Sequence, residues 1–310
     1  MNKAIRLHQT LALRDGRVLG YAEYGSPTDF PLLYFHGYPS SRLEGWGFGN
    51  IPQRHGFRLI VPDRPGFGLS SSQPQRRIMD WPADVKALTS HLSLSRFAIL
   101  GCSGGGPYAV ACAHSLPPDM LSAVGVLAGA GPWTAGTQDV TMPRRLLCLM
   151  ATRWPAGLEV LSGTLINLFR GIVNTGPVTR WLDNWIDSMK RGKDNEEKNL
   201  STKESRERLI VMTLEAFAQG TRGFVQETQL LTQDWGFRFE DVRYDKIRIW
   251  HGTRDKNSPV RMTRYMAEQL PRSVLREFDE DHYTIGHHIE EVISELIPET
   301  EAREYRSRAL

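Results

Sequence analysis

Short apolar runs recur before residue 128 and again after residue 246, and they predict buried strands. They occupy residues 32–35, 57–61, 97–100, 123–127 and 247–250, and residues 274–278 are predicted to form the last strand. Runs that are apolar on both faces are typical of parallel strands covered by helices on either side. Two further strands, 5–13 and 17–24, flank Asp15-Gly16, which is a strong hairpin signal.

Helical spacing alternates with these strands. The candidate helices are residues 80–93, 104–116, 259–269 and 283–296. Alternating strands and helices predict an α/β fold with a doubly wound, mostly parallel eight-stranded sheet. In such a fold the functional site lies beyond the carboxyl ends of the strands.

The strand pattern stops at residue 132 and resumes after residue 236. Three apolar stripes with helical spacing fill the gap. They are Val178, Trp181, Leu182, Trp185, Ile186 and Met189; Leu158, Leu161, Leu165, Phe169 and Ile172; and Ile210, Leu214 and Phe217. We interpret residues 132–236 as a helical cap inserted into the core.

The core then has two parts, residues 1–131 and residues 237–298, and residues 299–310 form a charged tail. Within the cap, the charged stretch 190–208 is expected to be an exposed, mobile connection. No internal repeat is visible in the chain.

Composition excludes several classes of protein. The 310 residues are 40% apolar and 24% charged, which is close to the average for globular domains. The net charge is only +3, and basic residues alternate with acidic ones in residues 189–208. A nucleic-acid groove needs unmixed positive charge, so a nucleic-acid partner is not expected.

Cellular location is suggested by three features. Three cysteines provide no disulfide framework and favour a reducing compartment. Residues 1–17 carry charges throughout, unlike a secretory signal. No uninterrupted apolar segment reaches the ~18–20 residues of a membrane span. We therefore expect a cytoplasmic protein, with the oligomeric state left open.

The sharpest motif is Gly101-Cys102-Ser103-Gly104-Gly105, which fits G-x-S-x-G between a predicted strand and a predicted helix. A tight strand-to-helix turn lifts the Ser103 hydroxyl above the sheet. The amino terminus of the following helix favours developing negative charge. Because a serine hydroxyl alone is a poor nucleophile, this serine needs a base and a group that orients the base.

Other interpretations of the motif are weaker. A glycine-rich turn that merely packs would not require this strand and helix. A dinucleotide loop would follow G-x-G-x-x-G after the first strand, which neither residues 101–106 nor residues 66–68 do. Cys102 precedes the apex of the turn, so its thiol is expected to point back toward the sheet as an inert group.

With these motifs the chain resembles the α/β-hydrolase superfamily over nearly its full length. The resemblance implies the order nucleophile, acid, histidine. It assigns the nucleophile to Ser103, the acid to Asp255 after the strand 247–250, and the base to His282 after the last strand. Some relatives place the acid after the sixth strand instead, but residues 127–133 contain no carboxylate here.

The resemblance also implies an oxyanion hole. His36-Gly37-Tyr38-Pro39 matches the family's His-Gly-x-Pro pattern, so the backbone N–H groups of Tyr38 and Gly104 are the candidate donors. Gly37 allows close approach, and His36 is interpreted as structural. The motif that begins at Asp63-Arg64 is interpreted as a hydrogen-bonded corner.

A serine at position 103 favours acyl chemistry over the epoxide and halide chemistry of members with aspartate there. The expected function is a serine hydrolase acting on a hydrophobic ester or lactone, without metal or cofactor. The alternative is a non-hydrolytic member, such as a lyase-like or carbon–carbon bond-cleaving enzyme or a ligand receptor. Large aromatic residues of the cap are expected to form its core or line its pocket. They are Trp133, Trp154, Trp181, Trp185, Phe217, Phe224 and Trp235.

Overall fold

An eight-stranded sheet forms the centre of the computed structural model, which describes residues 5–190 and 200–309. The strands are β1 (Arg6–Ala12), β2 (Val18–Tyr24), β3 (Phe30–Phe35), β4 (Phe57–Pro62), β5 (Phe97–Cys102), β6 (Leu121–Leu127), β7 (Ile247–Gly252) and β8 (Ser273–Phe278). Their order across the sheet is β1-β2-β4-β3-β5-β6-β7-β8. Strand β2 is antiparallel to β1 and β4, and the remaining pairs are parallel. The predicted hairpin and mostly parallel sheet are confirmed.

Helices cover both faces of this sheet, and others form a segment between β6 and β7. They are α1 (Ile51–His55), α2 (Trp81–His91), α3 (Gly106–Ser115), α4 (Met142–Arg153), α5 (Pro155–Ile172), α6 (Gly176–Lys190), α7 (Thr202–Glu215), α8 (Arg222–Thr232), α9 (Val260–Gln269), α10 (Ile289–Leu296) and α11 (Glu299–Ala309). Residues of α2, α3 and α9 pack on one face, and residues of α1, α10 and α11 pack on the other. Successive side chains such as Leu32 and Leu33 therefore enter opposite cores, which explains why the strands lack polar alternation.

The parallel strands are aligned so that their carboxyl ends meet at one edge. Phe35 pairs with Gly101, Leu127 with Trp250, and Gly252 with Phe278. The loops after β3, β5, β7 and β8 therefore leave the sheet side by side, as expected for a site at this edge.

Helices α4 to α8 lie between β6 and β7 and constitute the helical segment. Its apolar stripes are only partly buried: Leu158 and Leu182 are buried, whereas Leu165 and Trp181 are exposed. The helix pattern was predicted correctly, but a period of 3.6 residues does not reveal whether a stripe finds a partner.

The charged stretch 190–208 lies partly outside the described residues, since residues 191–199 are not described. The described remainder contains the first half of α7 rather than an irregular connection. Ser201 caps this helix: its hydroxyl accepts the Glu204 N–H at 3.2 Å, and the Glu204 carboxylate accepts the Ser201 N–H at 2.8 Å. This capping box starts a helix despite the dense charge.

The expected charged tail also contains a helix, α11. Ala302 is buried against the sheet, and the Tyr305 ring meets the Phe30 ring edge-on at 5.5 Å. Ala302 and Tyr305 thus pack α11 against the core, although most residues of this helix are charged.

In the described part of the chain, no single helix is long and apolar enough to cross a bilayer. Residues 155–172 and 176–188 reach that length and composition only when taken together, and their axes are bent by 96°.

Candidate active site

The turn between β5 and α3 carries Ser103 in a strained conformation. Its φ of 48° lies in the left-handed region, which a residue with a Cβ rarely adopts. The turn closes because Gly105 has no side chain: a Cβ there would lie 2.1 Å from the carbonyl oxygen of Phe35. The result is the sharp strand-to-helix bend that the glycine pattern predicts.

Three side chains from three loops meet above this bend. The Ser103 Oγ lies 3.0 Å from His282 Nε2, and His282 Nδ1 lies 2.6 Å from Asp255 Oδ2. Ser103 follows β5, Asp255 follows β7 and His282 follows β8. The residues predicted from the sequence are therefore in direct hydrogen-bond contact, although β6 and β7 lie between the strands that carry Ser103 and His282.

Asp255 is held as a buried, hydrogen-bonded carboxylate. Its Oδ1 accepts the backbone N–H groups of Asn257 at 2.8 Å and Ser258 at 2.7 Å. The side chain is 0% exposed. With Oδ1 occupied by backbone donors, Oδ2 is directed at the His282 ring.

A second imidazole, His251, lies 3.5 Å from Asp255 Oδ2. Its Nε2 lies 2.7 Å from the Ser258 carbonyl oxygen, which requires that Nε2 carry the proton. Its Nδ1 then accepts from the Thr263 hydroxyl at 3.1 Å. Burial lowers the pKa of His251, so this ring stays neutral and does not compete with His282 for the carboxylate.

Residues 36–39 run alongside the serine turn and are called the oxyanion loop below, after the role that the family resemblance predicts for them. A Cβ on Gly37 would lie 3.6 Å from Ser103 Cβ, and a Cβ on Gly104 would lie 3.3 Å from Tyr38 N. The Gly37 N–H is already bound by the Glu44 carboxylate at 2.9 and 3.1 Å. The backbone groups of Tyr38 and Gly104 are thus neighbours beside the Ser103 side chain.

His36 is fully buried and its tautomer follows from its partners. The Arg64 backbone N–H donates to Nε2 at 3.2 Å, so Nδ1 must carry the proton, which it donates to the Gly37 carbonyl at 2.8 Å. Burial, assisted by the Arg64 charge, holds the pKa of His36 well below its usual value. A neutral ring fixed at both nitrogens supports the structural interpretation of this histidine.

Cys102 faces the sheet as expected. Burial and then the Glu44 carboxylate raise the pKa of Cys102 to about 12. Its thiol therefore stays protonated near neutral pH, which argues against a nucleophilic role.

The sequence pattern gave no signal for two acidic residues near this site. Glu44 follows the oxyanion loop and also accepts the Tyr34 hydroxyl at 2.5 Å. Glu227 comes from α8 and binds Arg64 at 2.8 Å. Neither residue has a diagnostic neighbour in the chain, and a partner 163 residues away has no local spacing.

The aromatic residues of the helical segment divide into several environments. Trp235 and Phe217 are buried, whereas Trp154, Trp181 and Trp185 are 60%, 64% and 43% exposed. The expectation of a position in the core of the helical segment is therefore wrong for the three exposed tryptophans. Two other side chains of the segment do reach the serine turn and its loop. The Phe224 ring stacks on Tyr38 at 5.3 Å, and Leu231 Cδ1 would lie 3.5 Å from a Cβ on Gly104.

A cavity of about 600 Å³ lies between the first turn of α5, residues 74–78 and α8. Its lining includes Val225, Gln229 and Trp235 but not Ser103, Asp255 or His282. Hydrogen-bond geometry and not cavity size therefore locates the candidate site.

Comparisons with known proteins establish the fold family of the chain. A family model described as the alpha/beta hydrolase fold matches residues 31–288, so the chain belongs to the α/β-hydrolase fold family. Lipase 1 of Psychrobacter immobilis is 33% identical over 144 residues, covering 44% of this chain and 43% of the lipase. A non-heme chloroperoxidase of Streptomyces lividans is 34% identical over 192 residues, covering 58% of this chain and 68% of that protein. The chain thus spans less than half the length of the lipase that it matches.

Solved structures share the whole fold. An esterase from Rhodococcus sp. ECU1013 superposes with a TM-score of 0.61 and 18% identity, covering 99% of both chains. An enol-lactonase from Burkholderia xenovorans LB400 has a TM-score of 0.58 and 17% identity, covering 96% of this chain and 100% of that chain. At such identities the likeness establishes the fold alone.

Proposed function

We propose that the protein is a serine hydrolase of carboxylic esters. The observation that carries this proposal is the hydrogen-bonded series from Ser103 Oγ through His282 to Asp255, with distances of 3.0 and 2.6 Å. The match to a lipase and the fold shared with an esterase support the same class of reaction.

In the first half-reaction, Ser103 Oγ attacks the carbonyl carbon of the ester, and His282 Nε2 takes the hydroxyl proton. Asp255 accepts the Nδ1–H, which keeps the Nε2 lone pair directed at the serine and stabilises the imidazolium. The same proton passes to the departing alcohol, leaving an acyl group on Ser103. Water then attacks this acyl group, with His282 taking one of its protons. The bond between the acyl carbon and Ser103 Oγ breaks, the proton passes from His282 to Oγ, and the carboxylic acid leaves.

The negative charge that forms on the carbonyl oxygen is bound by the backbone N–H groups of Tyr38 and Gly104. Their adjacency beside Ser103 and the α3 amino terminus behind them support this assignment. Fixed backbone donors stabilise the transition state because they need no reorientation when the charge develops.

The substrate is a hydrophobic ester or lactone, and residues 132–236 act as a cap over the serine. Phe224 and Leu231 lie next to the oxyanion loop and the serine turn, so the acyl group meets apolar side chains of α8. The enol-lactonase named above shares the fold and makes lactones worth including among the compounds tested.

The test is covalent labelling with a fluorophosphonate probe, followed by turnover of p-nitrophenyl esters of increasing chain length and of lactones. We expect the wild type to be labelled and Ser103→Ala to be unlabelled. Ser115→Ala, which changes another serine at the end of α3, serves as the matched control and should label like the wild type. An unlabelled wild type that turns over no ester or lactone would refute the proposal.

A second candidate is a haloperoxidase reaction, because the Streptomyces lividans chloroperoxidase matches 58% of this chain. Halogenation of monochlorodimedone with bromide and hydrogen peroxide distinguishes it. Halogenation without ester turnover would favour this second candidate.

A further inference from the structure

Helix α8 holds the oxyanion loop through the Tyr38 side chain. The Tyr38 hydroxyl donates to the Phe224 carbonyl at 2.8 Å and also contacts the Thr228 hydroxyl. The Phe224 ring lies nearly parallel to the Tyr38 ring, with an interplanar angle of 14°. The Tyr38 side chain thus attaches the oxyanion loop to the helical segment.

A buried ionic contact attaches the same loop to α8 a second time. Glu227 accepts from Arg64 Nε at 2.8 Å, and the other two nitrogens of Arg64 donate to the carbonyls of His36 and Gly37, the latter at 2.9 Å. Both charged side chains are 0% exposed. The second oxygen of Glu227 accepts from Tyr108 at 2.8 Å and contacts Arg76.

The geometry of one peptide unit links this contact to the proposed chemistry. The Gly37 carbonyl and the Tyr38 N–H belong to the same trans peptide, so they point in opposite directions. Fixing the carbonyl on Arg64 therefore directs the Tyr38 N–H away from Arg64, and Gly104 lies beside that nitrogen.

Close packing sets the distance between α8 and residues 63–68, the loop that follows β4. A Cβ on Gly223, in the first turn of α8, would lie 2.4 Å from the carbonyl oxygen of Gly66. Only a residue without a side chain lets the helix approach so near, and the approach brings Glu227 within reach of Arg64.

We propose that Glu227 is a positioning residue for the oxyanion hole. Through Arg64 it orients the Gly37–Tyr38 peptide, so that seating of α8 on the core completes the site. This inference rests on the proposed ester hydrolysis and adds the residue through which the helical segment controls it.

The test compares Glu227→Gln with Gln229→Ala, a control on the same helix whose side chain instead binds the Ala151 carbonyl. For Glu227→Gln we expect kcat on a p-nitrophenyl ester to fall by about 10²-fold, the loss typical of one oxyanion donor. KM and the pH profile should stay unchanged, because Asp255 and His282 are untouched. Gly223→Ala, which moves α8 while keeping every charge, should act in the same direction.

Hydrogen exchange of the peptide covering residues 36–41 provides a readout that does not need activity. We expect faster exchange in Glu227→Gln than in the wild type or Gln229→Ala. Unchanged kcat and unchanged exchange in both Glu227→Gln and Gly223→Ala would overturn the inference. A wild type without labelling or turnover would refute the proposed hydrolase, and the exchange result would still decide whether Glu227 orders the loop.

A different observation concerns the outer surface of the helical segment. Exposed apolar side chains on α5 recur at i, i+4, i+7 and i+11. They are Leu161, Leu165, Leu168 and Ile172, with 43%, 56%, 58% and 39% exposure. Trp181 and Trp185 form an exposed pair one turn apart on α6. These six side chains lie on two helices whose axes are bent by 96°, and together they are called the α5–α6 apolar face.

Exposed cations near this face favour an anionic partner. Arg153 ends α4 just before α5 begins, Arg180 directly precedes Trp181 on α6, and both are exposed. The acids of α6 are occupied elsewhere: Asp183 pairs with Arg206 of α7, and Asp187 accepts from a threonine hydroxyl of α7. Leucines flanked by tryptophan and arginine are typical of helices that lie in a bilayer interface.

We infer that the α5–α6 apolar face docks on the surface of an anionic phospholipid bilayer, lying in the interface without crossing it. The test is co-sedimentation with vesicles of phosphatidylcholine with and without phosphatidylglycerol. Binding should require phosphatidylglycerol and weaken with salt. The double variant Leu165→Glu/Leu168→Glu should bind at least about tenfold more weakly.

The matched control is Val274→Glu, which charges an exposed apolar residue on β8 and should bind like the wild type. The inference is overturned if neither vesicle binds the wild type. It is also overturned if sedimentation velocity shows a dimer that the double variant dissociates, because a second copy of the chain would then cover this face.

Discussion

The α/β core and the helical segment bury their leucines to very different degrees. Leu32 and Leu33 of β3 are 0% exposed, whereas Leu165 and Leu168 of α5 are 56% and 58% exposed. A strand in the middle of this sheet has a helix layer on each side, so every position meets a partner. Helix α5 packs on α4 and α8, and its outward positions, such as Leu165 and Leu168, remain exposed among the described residues.

The core and the helical segment therefore have separate tasks at the proposed site. The core fixes the proposed nucleophile, base and acid through backbone contacts that leave little freedom, such as the two N–H groups on Asp255. The helical segment reaches the same site mainly through α8, which contacts the oxyanion loop. Catalytic geometry should therefore depend on the core and α8, and the outer helices should affect binding more than chemistry.

The largest expected contrast is between His282→Ala and Trp181→Ala. Removing the proposed base should lower kcat by roughly 10⁴–10⁶-fold, because the residues of a catalytic triad act as a unit. Removing the exposed tryptophan should change kcat by less than about tenfold, since Trp181 is 64% exposed. Steady-state kinetics on one soluble ester measures both, and similar losses in the two variants would contradict the separation of tasks.

The second contrast is in the free energy of unfolding. Leu33→Ala in β3 should lower the free energy of unfolding by about 2–5 kcal/mol through loss of apolar contacts and creation of a cavity. Leu165→Ala should change it by less than about 0.5 kcal/mol, because the side chain is half exposed. Urea titration of both variants makes the comparison, and a comparable loss in Leu165→Ala would show that the α5 stripe has a partner in the isolated protein.

A third prediction concerns crowding at the oxyanion loop. A Cβ in Gly104→Ala would lie 2.5 Å from Tyr38 Cβ, so the loop must shift. We expect kcat to fall by about 10²–10³-fold, as for loss of one oxyanion donor. Gly171→Ala on α5, where a Cβ meets no atom within 4 Å, is the control and should leave kcat unchanged. Equal activity of the two variants would argue against the Tyr38–Gly104 pair as the oxyanion hole.

The smallest effect is a pH dependence of stability at the contact between the two regions. Burial raises the pKa of Glu227, but the charges of Arg64 and Arg76 lower it more, so the net pKa lies below its usual 4.5. A carboxyl with a lowered pKa stabilises the fold above pH 4.5, and this contribution is lost as the pH falls through the lower, folded-state value.

The unfolding free energy of the wild type should therefore decrease below about pH 4.5 more steeply than that of Glu227→Gln, by up to about 1.4 kcal/mol per pH unit. Urea titrations at several pH values measure this difference. Parallel pH profiles for the two proteins would mean that Glu227 does not titrate on unfolding.

Much of the core was predictable because its signals are local. The central strands were marked by apolar runs, the first two by a hairpin signal, and the bend at Ser103 by glycines that allow close approach to Phe35. The helices of α5 and α6 were also marked by spacing, but the burial of Leu158 and the exposure of Leu165 were not. Burial depends on what packs against a stripe, and spacing carries no information about that neighbour.

The sequence by itself determined the family, the parallel sheet and the candidate nucleophile, since apolar runs and a glycine-flanked serine act over a few residues. The tertiary structure decided which distant groups meet. Alignment of the strand ends brings His282 to Ser103 across two intervening strands, and the seating of α8 brings Glu227 to Arg64. The family resemblance implied the first contact, and no signal in the chain implied the second. Both contacts depend on the packing of whole elements, which no local pattern encodes.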